Sequence, residues 1–281
     1  MTVKNSQWSV FNSKTRVVKK LEAIEAIKRK KRLQTWGIIL FIFGLSIWSA
    51  IGTDFTFYEI FAGTGLITQF IFLDLLPPDF AATGSLLQAL LETIYMGFVG
   101  MVVGAFISLF LSFLAASTTT PHPAIQMIVR AFTSILRNIP GLIWALILVA
   151  AYGIGTTVGT LSLIISSIGF LTRVFADNLE EIDLGKIEAL KASGASYFQV
   201  LMQGVFPQFY PGFVAWSLYK LELNIRASTI IGMVGGGGIG FAIQKSIKLF
   251  QYKEVSMAIL LVLVLILGTE LITRKIRERI I

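Results

Sequence analysis

Apolar runs long enough to cross a bilayer recur along this chain, and nothing else in the sequence limits its fold as much. They lie at about 36–51, 86–115, 125–152, 157–175, 208–231 and 255–273. A transmembrane helix needs about 20 mostly apolar residues. A membrane β-barrel would instead show segments of about ten residues with alternating polarity, and these runs do not alternate. The mean hydropathy of +0.77 agrees. So does a charged fraction of 14%, against about 25% in soluble proteins. The expected fold class is all-α: a polytopic membrane protein with about six transmembrane helices.

Charge sets the expected orientation. Residues 1–33 hold ten basic residues against two acidic ones, Glu22 and Glu25, which accounts for the net charge of +8. A basic segment before a first span belongs in the cytoplasm, and that position explains the run without nucleic acid. Within it, Val17, Leu21, Ile24 and Ile27 follow helical spacing, so an amphipathic helix over residues 14–33 is expected flat on the inner leaflet. Residues 52–83 carry Asp54, Glu59, Asp74 and Asp79 and no basic residue, as an external loop would. Its apolar piece "LITQFIFLDLLPPDF" reads as a surface helix stopped by Pro77 and Pro78. With Arg274, Lys275, Arg277 and Arg279 near the C-terminus, both termini are expected inside. Lys245, Lys248 and Lys253 then fall outside, against the trend. The expected division is 1–34 for the basic helix, 35–83 for the first span and external loop, and 84–281 for the main transmembrane domain.

Several chemistries have no residues to carry them. Cysteine is absent and His122 is the sole histidine, so disulfides, thiolate sites and multi-histidine metal sites are excluded. The start does not read as a signal peptide, because a long basic stretch precedes the first apolar run. "GMVGGGGIG" lacks the Lys-Ser/Thr of a P-loop and the strand and acid of a dinucleotide fingerprint. No catalytic constellation is present.

The polar segment 176–207, between the fourth and fifth runs, reads as helix–turn–helix on the cytoplasmic face. Asp177 is expected to cap a first helix reaching Lys191, with Leu184, Ile187 and Leu190 along one face. Gly194 supplies the turn. Ser196 and Gln199 form a capping-box pattern for the second helix, and Pro207 is expected to end it. A compact hairpin tied to two spans suits a docking surface for a cytoplasmic protein.

Glu188-Ala189, then Gly194 six residues on, then Pro207 thirteen further, resembles the EAA loop of bacterial ATP-binding-cassette importer permeases. Leu190 stands where that family usually has Ala, Gly204 where it has an aliphatic residue, and Phe206 where it has Leu. "RNIPGLIWALILVAAYGIG", "SLYKLELNIRASTIIGMVGGGGIG" and "KLFQYKEVS" narrow the resemblance to the phosphonate permease subfamily, with phosphate and phosphite as close variants. The resemblance implies a type I importer core like that of methionine permeases. It implies a homodimer in the bacterial inner membrane, with Glu188, Ala189, Gly194, Ser196 and Pro207 docking two ATPase subunits. An extracytoplasmic phosphonate-type binding protein would deliver substrate. No cofactor is then expected on this chain, ATP and magnesium belonging to the ATPase. The competing classes are a methionine- or amino-acid-type importer permease and an ion-coupled secondary transporter. The latter should show inverted repeats, and none is visible.

Charges inside a span are costly and usually face the bundle interior. Glu222 and Arg226 lie four apart on the fifth span, so they share a face and are expected to pair with each other or to meet substrate. Arg226 is the natural transient partner of a phosphonate. Asn224 and Ser228 on the same span, Arg137, and the break at Gly235, Gly236, Gly237 and Gly238 complete the candidate translocation path. The glycine run reads either as an unwound mouth of that path or as a flexible outer loop. Arg130 and Arg137 also have a simpler reading, snorkelling to headgroups. Glu92 and Glu270 are expected to be hydrogen-bonded or snorkelling, and His122 to be a turn residue.

Overall fold

The computed structural model describes residues 3–53 and 56–280. The chain divides into two compact units, Met1–Thr68 and Gln69–Ile281. In the first, α1 (Val3–Gly52) is one unbroken helix, followed by α2 (Phe57–Gln69). The stretch Lys28–Gly52 is long and apolar enough to cross a membrane. No helix break separates the expected surface helix from the expected span. The side chains of the stripe at Val17, Leu21, Ile24 and Ile27 lie outside the description, as does Asp54 of the acidic loop. The helix expected at "LITQFIFLDLLPPDF" begins earlier, at Phe57, and runs on as a π-helical turn to Leu75. Pro77 and Pro78 follow it, as a helix stop requires.

The second unit is a bundle around α6 (Thr156–Glu180). Packed on it are α3 (Thr83–Ala115), α4 (Pro123–Asn138), α5 (Gly141–Tyr152) and α9 (Phe206–Ile231). Among the described residues four helices can each span alone, or six spans arise if each bent helix pair is counted as one. The third span, expected over about 125–152 with an interruption at Pro140–Gly141, is one of those pairs. Pro140 cannot continue the helix, and α4 meets α5 at 84°. At 1.5 Å per residue, the 12 residues of α5 rise about 18 Å, short of a hydrocarbon core of about 30 Å.

Within lipid, helices associate through close packing and hydrogen bonds rather than through exclusion of water. The α3–α6 contact follows that rule. Gly100, Gly104, Ser108 and Ser112 recur every fourth residue on α3 and are all buried. A Cβ on Gly104 would stand 2.3 Å from the Ser167 Cβ of α6. Towards the end of α6, Leu171, Phe175, Ala176 and Leu179 pack with Ala105 and Phe209 in a closed core.

That core corrects an expectation. Phe175 and Leu179 are fully buried, so α6 continues through Asp177 to Glu180. Asp177 therefore caps nothing; it pairs with Arg173 one turn back (3.0 Å). Asp183 is the cap of α7 (Leu184–Ala192), its Oδ1 accepting the Gly185 N–H at 2.9 Å. Pro207 does not end a helix either. From α8 (Tyr197–Gln199) the chain passes through a π-helical turn (Val200–Val205) directly into α9. Pro207 sits in the first turn of α9, where its missing N–H is tolerated. The chain then breaks at the glycine run, turns into α10 (Gly238–Lys248) and returns along α11 (Tyr252–Ile280).

Candidate functional site

The hairpin α7–α8 is built by local chemistry. Gly194 adopts φ +81°, a conformation cheap only for glycine. It closes a Schellman motif, in which Ala195 N–H donates to Leu190 O (3.1 Å) and Gly194 N–H to Lys191 O (3.0 Å). The capping box is reciprocal: Ser196 N–H donates to Gln199 Oε1 (2.8 Å), and Gln199 N–H to Ser196 Oγ (3.4 Å). Ile187 packs inward against the α6–α9 core. Glu188 and Ala189 are exposed on the outer side of the hairpin, free to meet another chain.

Glu222 and Arg226 do not pair with each other. Both reach across to α11, which runs antiparallel to α9. Glu222 accepts from Arg277 Nη2 (2.8 Å) and from the Thr273 hydroxyl, and Arg226 Nη2 donates to Glu270 Oε2 (3.2 Å). The inner pair is largely buried, the Glu222 side chain being 8% exposed, while the Arg226–Glu270 pair is about half exposed. Asn224, fully buried, donates to Gly97 O (3.3 Å) and Ser167 Oγ (3.1 Å), tying α9 to α3 and α6. The Ser228 hydroxyl donates to Ile225 O (2.7 Å) and stays within its own helix.

The glycine run is a clamped break in the helix. Gly235, Gly237 and Gly238 have positive φ, and Gly235, Gly236, Gly237 and Gly238 are all buried. Gly155 N–H donates to Gly235 O (2.9 Å). Glu92 Oε2 accepts the Gly238 N–H (3.3 Å), and Thr93 Oγ1 accepts the Ile239 N–H (2.9 Å). The first N–H groups of α10 are thus capped from α3. A floppy loop would not be held in this way, and Glu92 is hydrogen-bonded as expected.

Residues 108–281 match the family described as binding-protein-dependent transport system inner membrane component. The chain belongs to this family. It is 39% identical over 191 residues to the phosphite transport system permease protein PtxC of Stutzerimonas stutzeri, covering 68% of this chain and 70% of that one. It is 39% identical over 204 residues to the phosphate-import permease protein PhnE of Mycolicibacterium smegmatis. That match covers 73% of this chain but spans only 38% of the relative. The fold is similar to that of a chain in an inward-facing structure of the MetNI methionine ABC transporter. There the TM-score is 0.64 at 23% identity, over 72% of this chain and 99% of that one.

In this chain, two features escaped sequence reading. Lys220, on α9, is 5% exposed. Its Nζ donates to Ser166 Oγ (3.1 Å) and lies 5.5 Å from the centre of the Phe170 ring. No carboxylate pairs with it among the described residues. Its place two residues before Glu222 was visible, but nothing local showed that it points inward. The second is the pairing of Arg130: Nη2 donates to Glu180 Oε1 (2.5 Å) and Nε to Ala115 O (2.7 Å). His122 is indeed a turn residue, its Nδ1 accepting the Ala124 N–H (3.1 Å) at the start of α4. Arg137 lies on the same face of α4 as Arg130 and is exposed.

Proposed function

We propose that this chain is the membrane-spanning subunit of an ATP-driven importer of phosphorus oxyanions: phosphonate, phosphite or phosphate. The observation that carries the coupling role is the capped hairpin α7–α8, which presents Glu188 and Ala189 outward from between two bundle helices. The substrate class rests on what its relatives are named for. In this reading Glu188, Ala189, Gly194, Ser196 and Pro207 belong to the surface that docks a separate ATPase. The hairpin, both termini and the ATPase lie in the cytoplasm. Two copies of the chain pair in the bilayer with two ATPase subunits, and an external binding protein delivers the anion.

The path would run past the inner part of α9, through Glu222, Asn224, Arg226, Ser228 and Gly235–Gly238, with Arg137 further along. Lys220 adds a cation at the level of Ser166. A buried cation without a carboxylate partner is costly in a membrane interior and marks function by default. It attracts an anion only weakly, because the aromatic ring already stabilises it, and weak binding suits release.

The test is reconstitution of the chain with its ATPase and binding protein in proteoliposomes, followed by uptake of methylphosphonate. Uptake should need ATP. Glu188→Arg should abolish it and release the ATPase, while the helical content and thermal transition of the permease persist. Wild-type uptake by that variant would refute the docking role, and uptake driven by an ion gradient without ATPase would refute the importer reading.

A further inference from the structure

Arg130, Arg137 and Arg173 line one cleft of about 300 Å³ between α4 and α6, together with Thr133, Ser134 and Gly169. The sequence builds it by register. Residues 130, 133, 134 and 137 share one face of α4 by helical spacing. On α6, Gly169 lets the backbone of α4 approach closely, since a Cβ there would stand 2.8 Å from the Arg137 N. Arg173 follows one turn later. No acidic side chain is among the lining residues.

The cations are only partly satisfied. Arg130 uses Nε and Nη2 on Ala115 O and Glu180, and Arg173 uses Nε on Asp177. Each guanidinium offers five N–H donors, so Nη1 of Arg130 and both Nη groups of Arg173 remain without a partner among the described residues. Arg137 has no ion-pair partner among them at all. Three arginines from two helices therefore line one space that holds on the order of ten waters.

We propose that this cleft binds a phosphorus oxyanion group, either the free transported anion on its way out or the phosphate of a lipid headgroup. Guanidinium forks match tetrahedral oxygens in pairs, and the three arginines outnumber by one the two carboxylates, Glu180 and Asp177, that pair with them. The cleft lies on the hairpin's side of the bundle, because Arg130 is bonded to Glu180 at the end of α6, three residues before the Asp183 cap. The identity of the free anion rests on the importer reading above; the cleft's affinity for the oxyanion group does not.

The experiment uses the full chain in phosphatidylcholine nanodiscs, titrated with methylphosphonate and with inorganic phosphate at constant ionic strength and followed by 31P NMR. A second arm uses nanodiscs containing phosphatidylglycerol, with retained lipid counted by native mass spectrometry. Arg137→Gln is the main variant; its side chain is exposed and unpaired among the described residues, so the thermal transition should be unchanged. Arg137→Lys is the conservative control. Free-anion binding that weakens about tenfold in Arg137→Gln and partly returns in Arg137→Lys supports the proposal, with the transported anion as source. Absent free-anion binding, with phosphatidylglycerol retained by the wild type and lost in Arg137→Gln, supports it with lipid as source. Wild-type behaviour of Arg137→Gln in both arms, or no binding to the wild type in either, overturns it. Uptake by the reconstituted wild-type importer is measured separately, so a failed importer reading leaves the binding result standing and the two failures are told apart.

Discussion

At the scale of single residues, two departures from the resembling family explain each other. Leu190 stands where that family has Ala, and Gly204 where it has an aliphatic side chain. In the structure the two positions face one another across the hairpin: a Cβ on Gly204 would lie 3.1 Å from Leu190 Cδ1 and 3.6 Å from Ile187 Cγ1. Leu190 fills the volume that a larger residue at 204 would take. Gly204→Leu alone should therefore overpack the hairpin by about 1–3 kcal/mol, and Leu190→Ala with Gly204→Leu should recover most of it. Hydrogen exchange at residues 184–205 of the full chain reads this directly, and additive losses in the double variant would sink the idea. The ion pairs across α9 and α11 differ for a similarly local reason. Arg277→Ala leaves a nearly buried Glu222 without its cation, a loss towards the lower end of roughly 3–5 kcal/mol because Arg277 is itself partly exposed. Glu270→Ala opens a half-exposed pair and should cost under about 1 kcal/mol. Thermal transitions in one detergent rank the two, and equal shifts would contradict the burial argument.

At the scale of elements, the hairpin is the part whose construction the sequence announces best. Gly194, Ser196 and Gln199 are local signals, and each does what its spacing implies. Gly194→Ala should cost about 1 kcal/mol at φ +81°, and Gln199→Ala a similar amount through loss of the capping box. Both should raise exchange in α7–α8 and weaken the proposed docking of an ATPase while leaving the spans protected; protection lost equally in α6 and α9 would mean the hairpin is not an independent unit. The helices α3, α6, α9 and α11 were legible for the same reason, since long apolar runs leave one solution in a bilayer. What was not legible depends on distance. Asp177 was read as the cap, but burial of Phe175 and Leu179 in a tertiary core carries α6 past it and leaves the cap to Asp183. The partners of Glu222 and Arg226 lie 55 and 44 residues away, so the i,i+4 rule found the nearest opposite charge and missed the true ones. Pro140 announced a break but carried no information about its 84° angle. The basic cleft needed α4 and α6 side by side before three arginines became one site.

At the scale of the whole molecule, the fold of residues 69–281 hangs on α6, and α6 is held by small residues more than by large ones. Gly100, Gly104, Ser108 and Ser112 form a four-residue repeat on α3 that lets two backbones approach, as small-residue stripes do in membrane bundles. The hydroxyl of Ser108 also donates to Ile168 O on α6 (3.3 Å). Large apolar side chains on the outer face of α3, such as Phe106 at 62% exposure, touch no core and gain little from lipid that is equally apolar. Hydrophobicity and stability are therefore expected to part company here. Gly104→Leu makes the chain more apolar yet must push α3 off Ser167, whose Cβ stands 2.3 Å from where the new Cβ would be. Backbone rather than a flexible side-chain tip must then yield, so the loss should reach or exceed the roughly 1–3 kcal/mol typical of overpacking. Phe106→Ala removes far more apolar surface and should cost under about 1 kcal/mol, because in lipid no exclusion of water is lost. The check is a side-by-side thermal unfolding and proteolysis series of the full chain in nanodiscs. A Phe106→Ala variant less stable than Gly104→Leu would show that burial of large side chains, and not close approach of α3 to α6, holds the bundle together.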